Sequence, residues 1–451
     1  MAIQPSTDAL GQYPLLDALL DRRSRRFGLG MNMTGGPLAY QSDRQPQPLS
    51  VDEEAALAFA ACGVTGYALG DLPYSSGPEP ESGSGNMMAS FLGRTIASAD
   101  ALHLVTLFVI NDDGAWMIKR PQDFPREEIP KLIQMARERN LTELYEKSRV
   151  RVADRRVDVP REPPHVPTFN KWSANQPGTT YFLPVNELSA LYINFLLAAF
   201  NEEFGYFVVD DRNGYRPAGL DSFARSKGGH LSDDPARGRF GSISVFETWL
   251  HEFVAIEQGG MLQNLGLMTQ ALGLGGFPHF AAHPFSWFQS LGFRVDNVPF
   301  SRTIAAGPIM RAVLKLLGKD TPVPTPLGLE QNGTVLLKPY CPPYYRNMQE
   351  AVLAFVDYKF AAGRGTFRDG GVVTGWLDPK KIQAAIPEYS DRTIAAVIAY
   401  CDYVYSRYGR FPADNGPFRT ILAHQAHRLD ADFYARFYRP EVLSEMRERE
   451  P

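Results

Sequence analysis

The longest periodic run in the chain is ISVFETWLHEFVAIEQGGMLQNLGLMTQALGLGG, Ile243 to Gly276. Apolar residues recur at helical spacing through Leu262, Leu265, Met268 and Leu272, and Gly273 and Gly275 end the run as a left-handed cap. A helix of this length needs a layer to lie on. HLVTLFVIND, His103 to Asp112, reads as a buried strand closed by Asp112, Asp113 and Gly114, with WMI starting the return strand of a hairpin. Helix and hairpin together predict helices packed on a sheet.

The remaining segments fill out this plan. Leu15, Leu16, Leu19 and Leu20 repeat at helical spacing, and PLSVDEEAALAFAACGVTG offers Ser50 as N-cap, acids in the first turn and stops at Gly63 and Gly66. SSGPEPESGSG, Ser75 to Gly85, reads as a mobile loop. The run REEIPKLIQMARERNLTELYEKS predicts one charged helix, REPPHVP a Pro-rich connector, ELSALYINFLLAAFNEEF an amphipathic helix, and YFVVDDRNGY a strand and turn. TVLLKPY reads as a strand and IAAVIAYCDYVYSRYG as a helix in a mostly helical tail. The expected parts are a first piece of a main domain (1–120), an insertion or lid (121–241), the second piece (242–360) and a helical extension (361–451). Phe169, Trp172, Tyr181 and Phe182 are the expected lid residues.

The stretch LLDRRSRRFG sets four arginines around Ser24, yet 46 Lys and Arg stand against 50 Asp and Glu, a net charge of −4. The positive charge is local, which speaks against nucleic acid and for a small anion. Guanidinium forks, a hydroxyl and helix-end amides suit a phosphate, although arginines at a helix C-terminus also face its dipole. The start lacks a signal-peptide pattern and no run stays apolar for about 18 residues, so a cytoplasmic protein with no membrane partner is expected. Cys62, Cys341 and Cys401 have neither disulfide nor zinc spacing.

Other chemistry was weighed on its residues. ALGLGG follows a helix rather than a strand, so it reads as a cap and not a dinucleotide loop. His279 and His283 lie four apart; His424, His427 and Asp430 lie on an expected helix and could serve as metal ligands, with packing as the competing role. Glu247, Glu252 and Glu257 read as helix surface. No GxSxG, GxxxxGK[ST] or HExxH is present.

Four segments in order resemble the FMN-dependent nitroreductase family: RRSRRF, RTIASADALHLVTLFVI, QGGMLQNLGLMTQALGLGG and LKPYCPPYYRNMQEAV. The second is similar to the azoline (thiazole/oxazole) dehydrogenase branch. The resemblance covers about half the chain and implies an α+β, nitroreductase-like fold, a central mixed, mainly antiparallel sheet packed by helices, with an insertion and a C-terminal helical extension. It implies that Arg22, Arg23 and Ser24 bind the FMN phosphate, that Arg26 reaches the ribityl or pyrimidine edge, and that Arg346 closes the phosphate site. It also implies Ser98 near the flavin ring, Leu274 and Gly275 by its reactive face, NAD(P)H as a possible electron donor, and a homodimer acting on a small organic substrate. The chain carries Ala97 where family members often have proline, and Tyr344 where they often have a basic residue. No catalytic side chain is assigned. The competing readings are a flavin-storing or regulatory protein without turnover, and a metal-dependent enzyme using His424, His427 and Asp430.

Overall fold

A computed structural model describes residues 10–70 and 87–443. The loop expected at Ser75–Gly85 lies outside the described residues. The elements that frame the site are α1 (Leu15–Asp21), α2 (Val51–Cys62), β1 (Val105–Asn111), β2 (Gly114–Ile118), β3 (Arg149–Ala153) and β4 (Thr180–Glu187). They continue with α3 (Ser189–Ala199), α4 (Ile243–Ala271), β5 (Gly275–His279), α5 (Met348–Phe360), α6 (Asp391–Tyr408), β6 (Ala423–His427) and α7 (Ala431–Phe437).

The sheet runs in the order β5-β6-β4-β1-β2-β3, and every pairing in it is antiparallel. A two-residue strand, Phe418–Arg419, pairs with the far end of β4. The expectation of a mixed sheet therefore narrows to a wholly antiparallel one; a parallel pair occurs only in a separate small sheet, between Phe207–Asp210 and Phe240–Ser242, among the described residues. β1 reads as a continuous apolar run because both of its faces are buried. Val105, Leu107 and Val109 pack with Leu57 of α2 and Met261 and Leu265 of α4. Phe108 and Ile110, on the opposite face, join Tyr181, Leu183, Trp287 and Phe293. The hairpin expected at WMI forms, with Asn111 opposite Gly114.

Helix ends follow local chemistry. Ser50 caps α2 by accepting from the Glu53 amide, and the Glu53 carboxylate accepts from the Ser50 amide at 2.8 Å. α4 ends where Gly273 turns to a φ of +68°, while Gly275 opens β5 and takes no part in the cap. The charged run 126–148 forms two helices, Ile129–Arg137 and Leu141–Ser148, because the chain turns at Arg139 with a φ of +60°. α3 is apolar all round and buried on every side except at Phe195, where an amphipathic helix was expected.

The segment boundaries drawn from sequence are not seams in the fold. Residues 121–241 supply β3, the central strand β4 and the core helix α3. The tail supplies β6, between β5 and β4. Tyr181 and Phe182, expected in a lid, are fully buried in β4. Cys62, Cys341 and Cys401 are buried free thiols. Among the described residues, no helix is long and apolar enough to cross a membrane.

Candidate functional site

Past α1 the chain becomes extended and lies along the end of the sheet: Arg25 bridges Gly276 and Gly28 bridges Leu429, both antiparallel. Extended backbone alternates its side chains, and the arginine run obeys that rule. Arg25 and Phe27 are buried; Ser24 and Arg26 are exposed, as are Arg22 and Arg23 before them. The Arg22 stem lies beside α4, with its Cδ 3.5 Å from where a Cβ on Gly266 would sit. Arg26 lies over the Phe277 ring, 5.1 Å from its centroid. Arg23 turns back on its own helix, donating to the carbonyls of Leu20 (2.8 Å) and Arg22 (3.1 Å). Neither Arg22 nor Arg26 has an acidic partner among the described residues.

Arg25 is only 2% exposed, and its guanidinium donates to the Leu274 carbonyl at 2.5 Å. Its Nε has no partner among the described residues, and no carboxylate faces it. Burial lowers its pKa, a direction that records how costly the unpaired charge is.

The chain approaches β6 so closely here that only glycine fits. A Cβ on Gly275 would sit 2.5 Å from His427 Nε2, and one on Gly276 would sit 2.6 Å from Thr269 Cγ2. His424 and His427, expected on a helix, lie in β6. Three apart in a strand, they point to opposite faces. His424 faces α4, with its Nε2 2.9 Å from Thr269 Oγ1. His427 shares its face with Gln425, whose Oε1 accepts from Tyr181 Oη at 2.6 Å. Asp430 caps α7 through the Phe433 amide. The three therefore do not converge, and no group of three or more His, Cys, Asp or Glu among the described residues could hold a metal ion. The metal reading falls on this geometry.

The imidazoles are neutral at physiological pH. Burial, with Arg26 nearby, takes His279 down to about 4. Burial, with His279 and His427 nearby, takes His424 to about 3, and burial followed by Arg25 takes His427 to about 3. His283, four residues from His279, is exposed and accepts from the Phe285 amide. The positive charge at this end of the sheet is thus carried by arginines. Several buried polar atoms around it lack protein partners among the described residues: His427 Nε2, His424 Nδ1, Asp430 Oδ2 and both amide atoms of Gln270, in the last turn of α4.

The remaining expected residues lie elsewhere. Leu274 and Gly275 join the arginine run, but Ser98 donates to Glu257 Oε2 at 2.9 Å and accepts from the His103 amide. Glu257 precedes Gly266 by nine residues on α4, roughly 13 Å along the axis. Arg346 has a side chain 88% exposed, pairs with Glu350 at 3.3 Å, and has no bond to the arginine run among the described residues. Glu252 is exposed as expected, but Glu247 and Glu257 are buried. Glu247 accepts from the amides of Ala413 and Asp414, and burial pushes its carboxyl upward.

From sequence Arg25, between the motif residues, is expected to point away from the phosphate, and Gln425, Arg428 and Lys359 were missed. Arg428 holds Glu53 through two bonds, at 2.7 and 2.8 Å. Lys359 is fully buried on α5, donating to Asn194 Oδ1 (2.8 Å) and Tyr389 Oη (2.7 Å), and burial takes its pKa to about 7. Strand periodicity over 24–28 was the signal that would have singled out Arg25. Comparison with known proteins adds no relative: no family model matches the chain, and a search of the curated proteins returns no match.

Proposed function

We propose that the arginine run, with β5 and β6 beside it, binds FMN, and that the chain is an FMN-dependent oxidoreductase of the nitroreductase type. The observation that carries this reading is Arg25, a buried guanidinium that, like Arg22 and Arg26 on the same extended segment, has no carboxylate partner among the described residues. A buried charge without a partner is costly, so a site built this way calls for an electron-rich ligand. The donor set fits FMN: exposed cations and the Ser24 hydroxyl for a phosphate, then a neutral, partly unsatisfied interior for a polar ring.

In this reading Arg22 and Ser24 hold the phosphate, Arg25 offers its Nε to the electron-rich pyrimidine edge of the flavin, and Arg26 and the Leu274–Gly276 backbone hold the ring end. Arg23 keeps to the end of α1. FMN, when bound, supplies the two-electron redox chemistry. The chain's own part is to bind, orient and place positive charge; the neutral His279, His424 and His427 leave that charge to the arginines. Arg346 enters the proposal only through the family resemblance, and NAD(P)H is the proposed donor. A small organic substrate and a cytoplasmic setting complete the proposal.

The proposal includes a homodimer. Val245, Trp249, Phe253 and Ile256 form one exposed apolar stripe on α4, and Leu15, Leu16, Leu19 and Leu20 are exposed on α1, which packs on the same helix. A second copy covering this face would account for both sets. It would also give Ser98, remote from the arginine run of its own chain, a route to the partner's site.

The test is spectroscopic. Purified protein is expected to hold flavin that bleaches with NAD(P)H or dithionite and recolours on adding a nitroaromatic or quinone. Flavin that stays inaccessible to donor and acceptor would favour storage over turnover, and protein that cannot hold FMN would refute the proposal.

A further inference from the structure

A second cavity, of about 430 Å³, opens between Leu92, the turns at residues 121–129, the outer face of α5 and the loop 364–373. It shares no lining residue with the arginine run, β5 or β6. Its floor is apolar, formed by Phe91, Phe124, Ile129 and Val373. Its size is that of a small-molecule site.

The polar groups on its wall are unequally satisfied. Asp369, whose side chain is 3% exposed, accepts from Arg126 through one oxygen, and through the other from the Gly371 amide and Gln383 Nε2, both at 2.8 Å. Its acceptor capacity is committed. Arg126 has five N–H donors. One Nη engages Asp369, and the other reaches Thr366 Oγ1 only at 3.5 Å. Its side chain remains 32% exposed at the cavity. Asp357 and Arg364 also line the cavity and pair with each other at 3.4 Å, so the donors left for a ligand are those of Arg126, held in place by Asp369 beside the apolar residues.

We propose that this cavity binds a small carboxylate carried on an aromatic or branched apolar body, the carboxylate on Arg126 and the body on Phe91, Phe124, Ile129 and Val373. Arg126 is suited to the role because its guanidinium is planar, remains charged, and is already oriented by the bond to Asp369. An ion pair that only tied the loop to the turn would need no cavity in front of it. The site stands independently of FMN binding.

The test is calorimetric titration of the full chain with 4-phenylbutyrate and with its neutral isostere, 4-phenylbutanamide. The acid is expected to bind about tenfold or more tightly than the amide, the range of a charge-assisted contact. Arg126→Gln is expected to bring the acid to the level of the amide. Val373→Trp, which fills the cavity, is expected to abolish both. Equal affinity for acid and amide, or no binding at millimolar ligand, overturns the proposal on the wild-type protein alone. Acid binding that survives in folded Val373→Trp overturns it as well, since the ligand then sits elsewhere.

Discussion

Arg25 and Leu274, 249 residues apart in sequence, are joined by a 2.5 Å hydrogen bond from a buried guanidinium to a main-chain carbonyl. The bond fixes the arginine run to the turn that follows α4. It satisfies one donor of a charge that still lacks a counter-ion among the described residues. Both facts bear on what happens when the residue is replaced.

Arg25→Met is expected to weaken FMN binding by roughly ten- to a hundredfold, the range of a lost charge-assisted bond of about 1.5 to 3 kcal/mol. In thermal unfolding, FMN should raise the melting temperature of the wild type much more than that of the variant. An equal rise in both would mean that Arg25 is only a brace for the turn.

Arg22→Ala and Arg26→Ala should each lose FMN affinity by about tenfold or more, whereas Arg23→Ala should lose little, because Arg23 spends its donors on the carbonyls of Leu20 and Arg22. Fluorescence titration of the folded variants checks the ranking. Equal small losses in all three would reduce the run to a solvated helix end.

His279, His424 and His427 predict acid sensitivity. Their folded pKa values, about 4, 3 and 3, lie below the ordinary value of 6.5. Between these limits the unfolded chain binds more protons, so stability falls as pH drops through 6.5 and is fully present above it. Melting temperature measured from pH 7.5 to 4.5 should decline, and His427→Gln should flatten the decline. A variant as acid-sensitive as the wild type would show that the cluster is not responsible.

On the proposed dimer, Ile256 is 66% exposed, the most exposed residue of the apolar stripe on α4. Ile256→Glu should convert a dimer to a monomer in light scattering while leaving the fold intact by circular dichroism. Wild-type protein that is already monomeric at micromolar concentration would remove the dimer from the account.

The elements with the clearest patterns were legible from the chain. β1, its hairpin with β2, α2 with its Ser50 cap, and α4 ended by Gly273 all follow from periodicity and cap chemistry. What escaped was long-range partnership. Nothing local says that Thr180–Glu187 and Ala423–His427 pair with each other or fill the middle of the sheet. HQAHRLD has helix-compatible spacing, and tertiary pairing overrode it. Within the site, the arginines were visible as a cluster, but their division into buried Arg25, helix-bound Arg23 and unpaired Arg22 and Arg26 depends on extended backbone after Asp21.

The central claim is that the arginine run is held against the FMN phosphate, and comparison of FMN with riboflavin tests it most directly. Riboflavin has the same ring and ribityl chain without the phosphate. Fluorescence titration of the wild-type protein should show FMN binding at least tenfold more tightly than riboflavin, with the difference lost in Arg22→Ala. Equal affinities for the two flavins, or a preference for FMN that persists in folded Arg22→Ala and Arg26→Ala, would contradict it.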